Sequence, residues 1–198
     1  SVDEWDFALS YFDGTSRDPL FLLDPVTGDF LPYYPLITQT GLELQATLEG
    51  WLVKFEAIYR TNFGEEDYVA AVGGVEYTLY GVMDTAADVG LIAEYQFDSR
   101  NNFGEAPFLV DISNAVVMAA RLAFNDEQSS EFLFGFGFET DYDSKFMSVE
   151  GSTRIGDSMK LTIDGRIFSG IADNDPLATL FWSFRNDDFI QISIEQYF

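Results

Sequence analysis

The chain contains no cysteine and no histidine among its 198 residues. Without cysteine it has no disulfides, which fits a cell-envelope protein and a cytosolic protein equally well. Without either residue, the usual general base and the usual thiol nucleophile are both missing, so triad chemistry is largely excluded. A Gly-rich phosphate loop is also lacking. We therefore expect no enzymatic activity and no cofactor.

Basic residues are scarce, because 10 Lys and Arg stand against 34 Asp and Glu, for a net charge of −24. This balance leaves no basic surface to neutralise phosphates, which excludes nucleic acid as a partner. Yet 47% of the residues are hydrophobic and 17% aromatic, whereas disordered chains combine high charge with few aromatics. A chain this acidic and this aromatic must place its charges and its rings on different surfaces.

Long hydrophobic runs are also missing. No stretch approaches the roughly 18 apolar residues that a transmembrane helix needs. The N-terminal residues SVDEWDF have neither the basic region nor the apolar region of a signal peptide, so such a peptide has been removed or the chain is a fragment. Because no linker is visible, we predict a single domain over residues 1–198.

Strict alternation of apolar and polar residues is what the chain has in abundance. A period of two indicates strands whose two faces meet different surroundings. Within the alternating segment 69–79, the pair Gly73-Gly74 predicts a kink or bulge. The alternating segments are 5–12, 42–48, 51–60, 69–79, 89–97, 116–124, 131–139, 147–154, 159–167 and 190–198.

The connections between these segments alternate in length. Short turns at one end and longer loops at the other are typical of transmembrane barrels, with periplasmic turns and extracellular loops. We therefore predict an all-β, antiparallel up-and-down transmembrane β-barrel with about ten strands in this chain. The loop at 13–36 is too apolar to stay in water. We expect it to bury Phe21, Leu22 and Tyr33 at the barrel mouth, or to contact a partner or a second copy of the chain.

Alternation alone does not orient the barrel, since a soluble lipocalin-like barrel has the same period with its apolar face inside. Two features favour an apolar face toward lipid. That face carries no charged residue in any segment, and aromatic residues lie at both of its ends, as in Trp5 with Tyr11. Eight residues at a tilt of about 40° rise roughly 20 Å, close to the height of the apolar band. The predicted lipid-facing residues are Trp51, Tyr59, Phe132, Phe134, Phe136, Phe138 and Phe198.

The opposite face carries charges of both signs and is predicted to line the lumen. Its acids and bases can neutralise each other and plug the barrel, or a surplus of four acids can bias a wet lumen toward cations. We therefore predict a passive, porin-like channel for small solutes with a bias toward cations. The alternative is a plugged structural or surface-binding barrel that acts through its extracellular loops. The predicted lumen-lining residues are Lys54, Glu56, Arg60, Glu76, Glu94, Arg121, Glu131, Glu139, Glu150, Arg154, Lys160, Asp164 and Arg166.

The last strand, Ile190 to Phe198, alternates and ends in Phe. It resembles the C-terminal signature of Gram-negative bacterial outer-membrane β-barrels, from which Gln196 departs because a hydrophobic residue is usual there. The resemblance implies location in the bacterial outer membrane, contact with its lipid and lipopolysaccharide, and recognition of Phe198 by the barrel-assembly machinery. Residues 5–19 resemble a group of longer porin-like bacterial proteins, which implies that this chain is the C-terminal part of a larger barrel.

Acidic residues at alternate positions occur twice in the long loops, in Asp141-Tyr-Asp143 and Asp173-Asn-Asp175. Several oxygens close together suit Ca²⁺, but neither segment has the full twelve-residue loop of an EF-hand. A solvated acidic surface is the simpler interpretation. We therefore predict no metal site.

Overall fold

The computed structural model describes residues 4–63, 67–100, 114–140, 143–171 and 184–197. Strands account for 70% of this described part of the chain. Between two of them lies a 3-10 turn, Val82–Asp84. In the described ranges, no helix is long and apolar enough to cross a membrane.

Ten strands form one large antiparallel sheet, and two short strands form a separate hairpin. In chain order the strands are β1 (Trp5–Thr15), β2 (Leu20–Leu23), β3 (Phe30–Tyr33), β4 (Leu36–Leu48), β5 (Trp51–Thr61), β6 (Tyr68–Leu79), β7 (Asp88–Asp98), β8 (Ala115–Ala123), β9 (Glu131–Glu139), β10 (Lys145–Ile155), β11 (Met159–Ser169) and β12 (Phe189–Gln196).

The large sheet has the order β1-β4-β5-β6-β7-β8-β9-β10-β11-β12. Each of the ten alternating segments coincides with one of these strands, so the predicted all-β antiparallel architecture is confirmed. The sheet is not closed, since β1 and β12 lie at its two edges and do not pair with each other within the described residues.

The register between β5, β6 and β7 is continuous, with Gly73 opposite Phe55 and Gly74 opposite Lys54. The prediction of a kink or bulge at Gly73-Gly74 was therefore wrong. At position 74, glycine is required by the packing of the neighbouring strand. A Cβ at Gly74 would lie 2.7 Å from Cγ of Glu94 on β7, so the missing side chain makes room for its neighbour.

The predicted loop at 13–36 contains the hairpin of β2 and β3. Each of these strands has four residues, which is too few for a period of two to be recognised in the sequence. At its base, the Ser16 N–H donates to the Pro35 carbonyl at 2.7 Å. The prediction that Leu22 and Tyr33 are buried was wrong, since they are 53% and 51% exposed. Phe21 is half-buried. Leu20 of the hairpin packs against a small buried cluster formed by Ile37, Phe63 and Tyr68.

The sheet encloses little interior. The apolar side chains buried in the described residues are Ile37, Ala46, Phe63 and Tyr68. The accessible surface is 13364 Å², whereas a compact monomer of 22.3 kDa exposes about 9,400 Å². Most of the apolar side chains in the described residues are therefore at least partly exposed.

Candidate functional site: the charged face of the sheet

The register sorts the strand residues into two faces, because directly opposed residues on neighbouring strands point to the same side. Lys54, for example, lies opposite Gln45 and Gly74, and Gly74 lies opposite Glu94. Followed across the sheet, this register brings all of the predicted lumen-lining residues to one side, which we call the charged face. They are Lys54, Glu56, Arg60, Glu76, Glu94, Arg121, Glu131, Glu139, Glu150, Arg154, Lys160, Asp164 and Arg166.

The opposite side, which we call the apolar face, holds the predicted lipid-facing residues of the strands. Among its described strand residues the charged ones are Asp13 and Lys145, both near the long-loop end. Phe198 lies outside the described residues. The predicted lipid-facing residues on this face are Trp51, Tyr59, Phe132, Phe134, Phe136 and Phe138.

Part of the charged face is neutralised by ion pairs. Arg121 on β8 reaches across β7 and lies 3.7 Å from Glu76 on β6. Arg166 on β11 lies 3.3 Å from Glu150 on β10 and 3.7 Å from Asp164 on its own strand. Since these side chains are partly exposed, each pair contributes at most about 1 kcal/mol. Their main effect is to cancel charge locally.

Other carboxylates on this face have no basic partner. Glu43 and Glu56 are directly opposed on β4 and β5, an arrangement in which like charges repel. Within the described residues, no Lys or Arg nitrogen lies within 4.0 Å of Glu43, Glu56 or Glu94. Lys54 shares the face with them but forms no ion pair in this part of the chain. The region of these three carboxylates and Lys54 therefore carries a net negative charge.

The charge surplus lies mainly in the first half of the sheet. Strands β1 and β4 to β7 contribute seven acids and two bases to the charged face, and strands β8 to β12 contribute five acids and four bases. Such a gradient creates a field across the face. The acids of the first half are Asp6, Glu43, Glu56, Glu76, Asp88, Glu94 and Asp98.

Two arginines enclose Tyr68 at the long-loop end of the charged face. The Arg100 guanidinium lies 3.9 Å from the Tyr68 ring centroid and pairs with the buried Asp98 carboxylate. Arg60 lies 5.6 Å from the same ring. Its guanidinium also donates to Asp18 at 3.0 Å, in the segment that leads to β2. We call these five residues the arginine–tyrosine cluster.

The arginine–tyrosine cluster holds the β2–β3 hairpin against the charged face. Beside it, Leu20 packs against Ile37, Phe63 and Tyr68. Cation–π contacts and the ion pair each add about 0.5–1 kcal/mol at partly exposed sites. The hairpin therefore narrows the space over this face at the end where the long loops lie.

A cavity of about 470 Å³ opens at the short-turn end of the charged face, lined by Glu131, Arg154, Lys160 and Tyr197 among others. Arg154 and Lys160 are directly opposed, and no described carboxylate lies within 4.0 Å of either. The Tyr197 hydroxyl donates to Glu195 at 2.6 Å, which raises the pKa of Tyr197. Lys160 also lies directly opposite Glu195, so this end of the face places two bases beside the carboxylates of Glu131 and Glu195 without an ion pair closer than 4.0 Å among the described residues.

Sequence reasoning missed a second cavity, of about 510 Å³, at the opposite end of β10 and β11. Three phenylalanines from the ends of β10, β11 and β12 line it together with Phe184. The register places the three on the charged face, where Phe146 has the parity of Ser148. Continuing the alternation by one step beyond the predicted segments was the signal that could have found them. The three residues are Phe146, Phe168 and Phe189.

In the described ranges, no group of three or more metal-ligating side chains could hold an ion. Asp141, Asp173 and Asp175 of the acidic pairs lie outside those ranges. Compared with known proteins, the chain matches no model of a protein family, no curated protein and no solved structure. The properties of the two faces therefore carry the functional argument by themselves.

Proposed function

We propose that this chain forms an outer-membrane β-barrel that lets small solutes pass passively, with a bias toward cations. The apolar face is the observation that carries this proposal. It is free of charge over most of its height, and no part of the described chain covers it. Strands of eight to 13 residues bracket the roughly 9–11 residues that cross a bilayer at a tilt. Lipid and lipopolysaccharide would cover this face.

The barrel closes in this proposal by pairing of the two edge strands. Ten strands that are each antiparallel to the next leave β1 and β12 running in opposite directions, so they can pair with each other or with further strands of a longer chain. Both edges are more exposed than the interior, with Leu9 at 75% and Ile190 at 71%. Open edges invite pairing because their N–H and C=O groups lack partners. Recognition of Phe198 by the assembly machinery belongs to the same proposal.

The cation bias follows from the surplus of acids on the charged face. In a narrow aqueous path with low-dielectric walls, unpaired carboxylates raise the local cation concentration and repel anions. Glu43, Glu56 and Glu94 would act in this way, because none of them forms an ion pair with a base among the described residues. Glu76 contributes less, since it pairs with Arg121.

A plugged barrel that acts through its loops is the second candidate function, and the β2–β3 hairpin favours it. The hairpin packs on the charged face through Leu20 and through the pair of Asp18 with Arg60. Ten strands alone enclose little more than their own side chains, since eight-stranded barrels are filled. A plugged barrel of this kind should therefore carry no ionic current.

Reconstitution of the full chain into planar bilayers separates the two. The channel proposal expects discrete conductance steps and a reversal potential in a KCl gradient that favours K⁺ over Cl⁻. The preference should fade near molar salt, where screening shortens to about 3 Å. Anion selectivity would contradict the charge argument. Folded protein without conductance would favour the plugged barrel.

A further inference from the structure

We propose that the cavity at the ends of β10, β11 and β12, which we call the phenylalanine cavity, binds organic cations that join an aromatic or apolar body to an ammonium group. Its volume of about 510 Å³ lies within the range of about 300–1,000 Å³ that small-molecule sites occupy. The rings of Phe168 and Phe184 stack at 5.9 Å and give it an apolar wall. Phe146 and Phe189 complete the wall.

The position of this cavity on the charged face is what makes it a site for a solute. Aromatic side chains on the apolar face have lipid or interface to cover them, whereas Phe146 and Phe168 share their face with Ser148, Glu150 and Arg166. The sheet also makes room for one of the rings. A Cβ at Gly137 would overlap the Phe146 ring, so glycine at that position lets the ring lie flat against β9.

The polar groups of the phenylalanine cavity favour a positive ligand. Glu150 and Arg166 line the cavity. Asp164 does not line it but lies directly opposite Glu150, and Arg166 pairs with both carboxylates. Asp164 Oδ1 is buried and accepts no hydrogen bond from the described residues. Asp187 also lines the cavity. Because two paired carboxylates share one guanidinium and a third lies nearby, an ammonium group gains attraction and a carboxylate is repelled.

The rings themselves add to this preference. The Arg166 guanidinium already lies 5.9 Å from the Phe189 ring centroid, so the aromatic wall accommodates a cation at its edge. Attraction between cations and ring faces strengthens where water is excluded. An ammonium group on an apolar body would therefore use both parts of the cavity at once.

This inference deepens the proposed function, since a cation-biased lumen would deliver such solutes to the cavity. Its test does not depend on conduction. Phenethylammonium binding to the folded full chain in detergent micelles is measured by isothermal titration calorimetry, with protein-free micelles as the blank. Phenylacetate has the same ring with the opposite charge, and ethylammonium has the same charge without the ring.

Two variants at opposite ends of the charged face make the test specific. Glu150→Gln removes one carboxylate of the cavity and keeps its shape, while Glu131→Gln removes a carboxylate from the same face at the short-turn end. Both side chains are exposed, so neither change should disturb folding, which circular dichroism checks. Glu150→Gln should weaken phenethylammonium binding by about three- to fivefold, and Glu131→Gln should leave it unchanged. Phe168→Leu should weaken it while ethylammonium binding stays negligible.

Several results would overturn the inference. They are phenylacetate binding as tight as phenethylammonium binding, equal loss in the two glutamine variants, and no heat of binding above the micelle blank for folded protein. Failure of this test together with K⁺-selective current would leave the channel proposal intact. Phenethylammonium binding without any ionic current would support the proposed binding site and contradict the channel proposal.

Discussion

The apolar face and the charged face are built by the same ten strands, yet they are covered differently. The β2–β3 hairpin, the residue Phe184 and several ion pairs lie over the charged face. Nothing in the described chain lies over the middle of the apolar face, where Phe134 and Met118 remain exposed. The difference supports the proposal that the two faces meet two different solvents, because a water-soluble sheet would cover its apolar side first.

The largest expected effect comes from placing a charge on the apolar face. Phe136→Arg should cost about 2–4 kcal/mol if the site lies near the bilayer midplane. The free energy of unfolding is measured by urea titration of the chain folded in lipid vesicles. Val117→Arg is the matched control, since Val117 lies beside Met118, the direct partner of Phe136, but points to the charged face.

The free energies of unfolding of the two variants together test which face meets lipid. On the charged face, the guanidinium introduced by Val117→Arg would lie opposite Glu94, so this variant should cost less than about 1 kcal/mol. A costly Val117→Arg beside a tolerated Phe136→Arg would mean that the two faces have the reverse orientation.

The second effect concerns the unpaired carboxylates. Replacing Glu43, Glu56 and Glu94 together with Gln should lower the permeability ratio of K⁺ to Cl⁻ by roughly twofold or more, as reversal potentials report. The matched control neutralises three exposed acids in the short turns. An equal loss of selectivity in both triple variants would contradict the proposal that the carboxylates of the charged face determine the preference for K⁺. The control residues are Glu49, Glu127 and Asp157.

A smaller effect tests what covers the charged face. Arg60→Ala removes the ion pair to Asp18, the hydrogen bond to Gln39 and the ring contact with Tyr68. Losing about 1–1.5 kcal/mol should speed chymotrypsin cleavage within residues 18–35 by roughly tenfold. Arg17→Ala, an exposed residue of the same segment, should leave the rate unchanged. An unaltered rate in Arg60→Ala would mean that the hairpin is held by other contacts.

The smallest effect lies in a turn outside both faces. The Ser130 N–H donates to Asp126 Oδ1 at 2.7 Å, which lowers the pKa of Asp126 below its ordinary value of 3.8. A carboxyl whose pKa is lower in the folded state stabilises the fold above its ordinary pKa and loses that contribution as the pH falls through its folded pKa. Asp126→Ala should therefore be less stable at pH 7, and the difference should shrink as the pH falls below 3.8 and disappear below the lower folded pKa.

Alternation was sufficient to predict the ten strands of the sheet. It also separated the described residues that we predict to line the lumen from those that we predict to face lipid, since the register places the two sets on opposite faces. A period of two needs several residues to be visible, and β2 and β3 have four each. Pro32 inside β3 further obscured that strand, because proline is unfavourable in a ladder. The hairpin was therefore recognised as apolar but not as a pair of strands.

The contacts that join distant segments could not be predicted. The stacking of Arg100 on Tyr68, and of Phe184 on Phe168, depends on how loops return to the sheet. Which acids are paired also depends on register, which places Glu76 near Arg121 and leaves Glu43 opposite Glu56. Sequence composition gives the surplus of acids, but only the register locates the unpaired ones in the first half of the sheet.

Spin labels along one strand test the central claim, that the apolar face meets lipid, most directly. The chain contains no cysteine, so single cysteines introduced at each position of β9 (Glu131–Glu139) carry the only labels. In lipid vesicles, the account predicts that labels at Phe132, Phe134, Phe136 and Phe138 collide with apolar oxygen, and that the alternate positions collide with a water-soluble nickel chelate. The same period with the phase reversed, or uniform access to the nickel chelate, would contradict it.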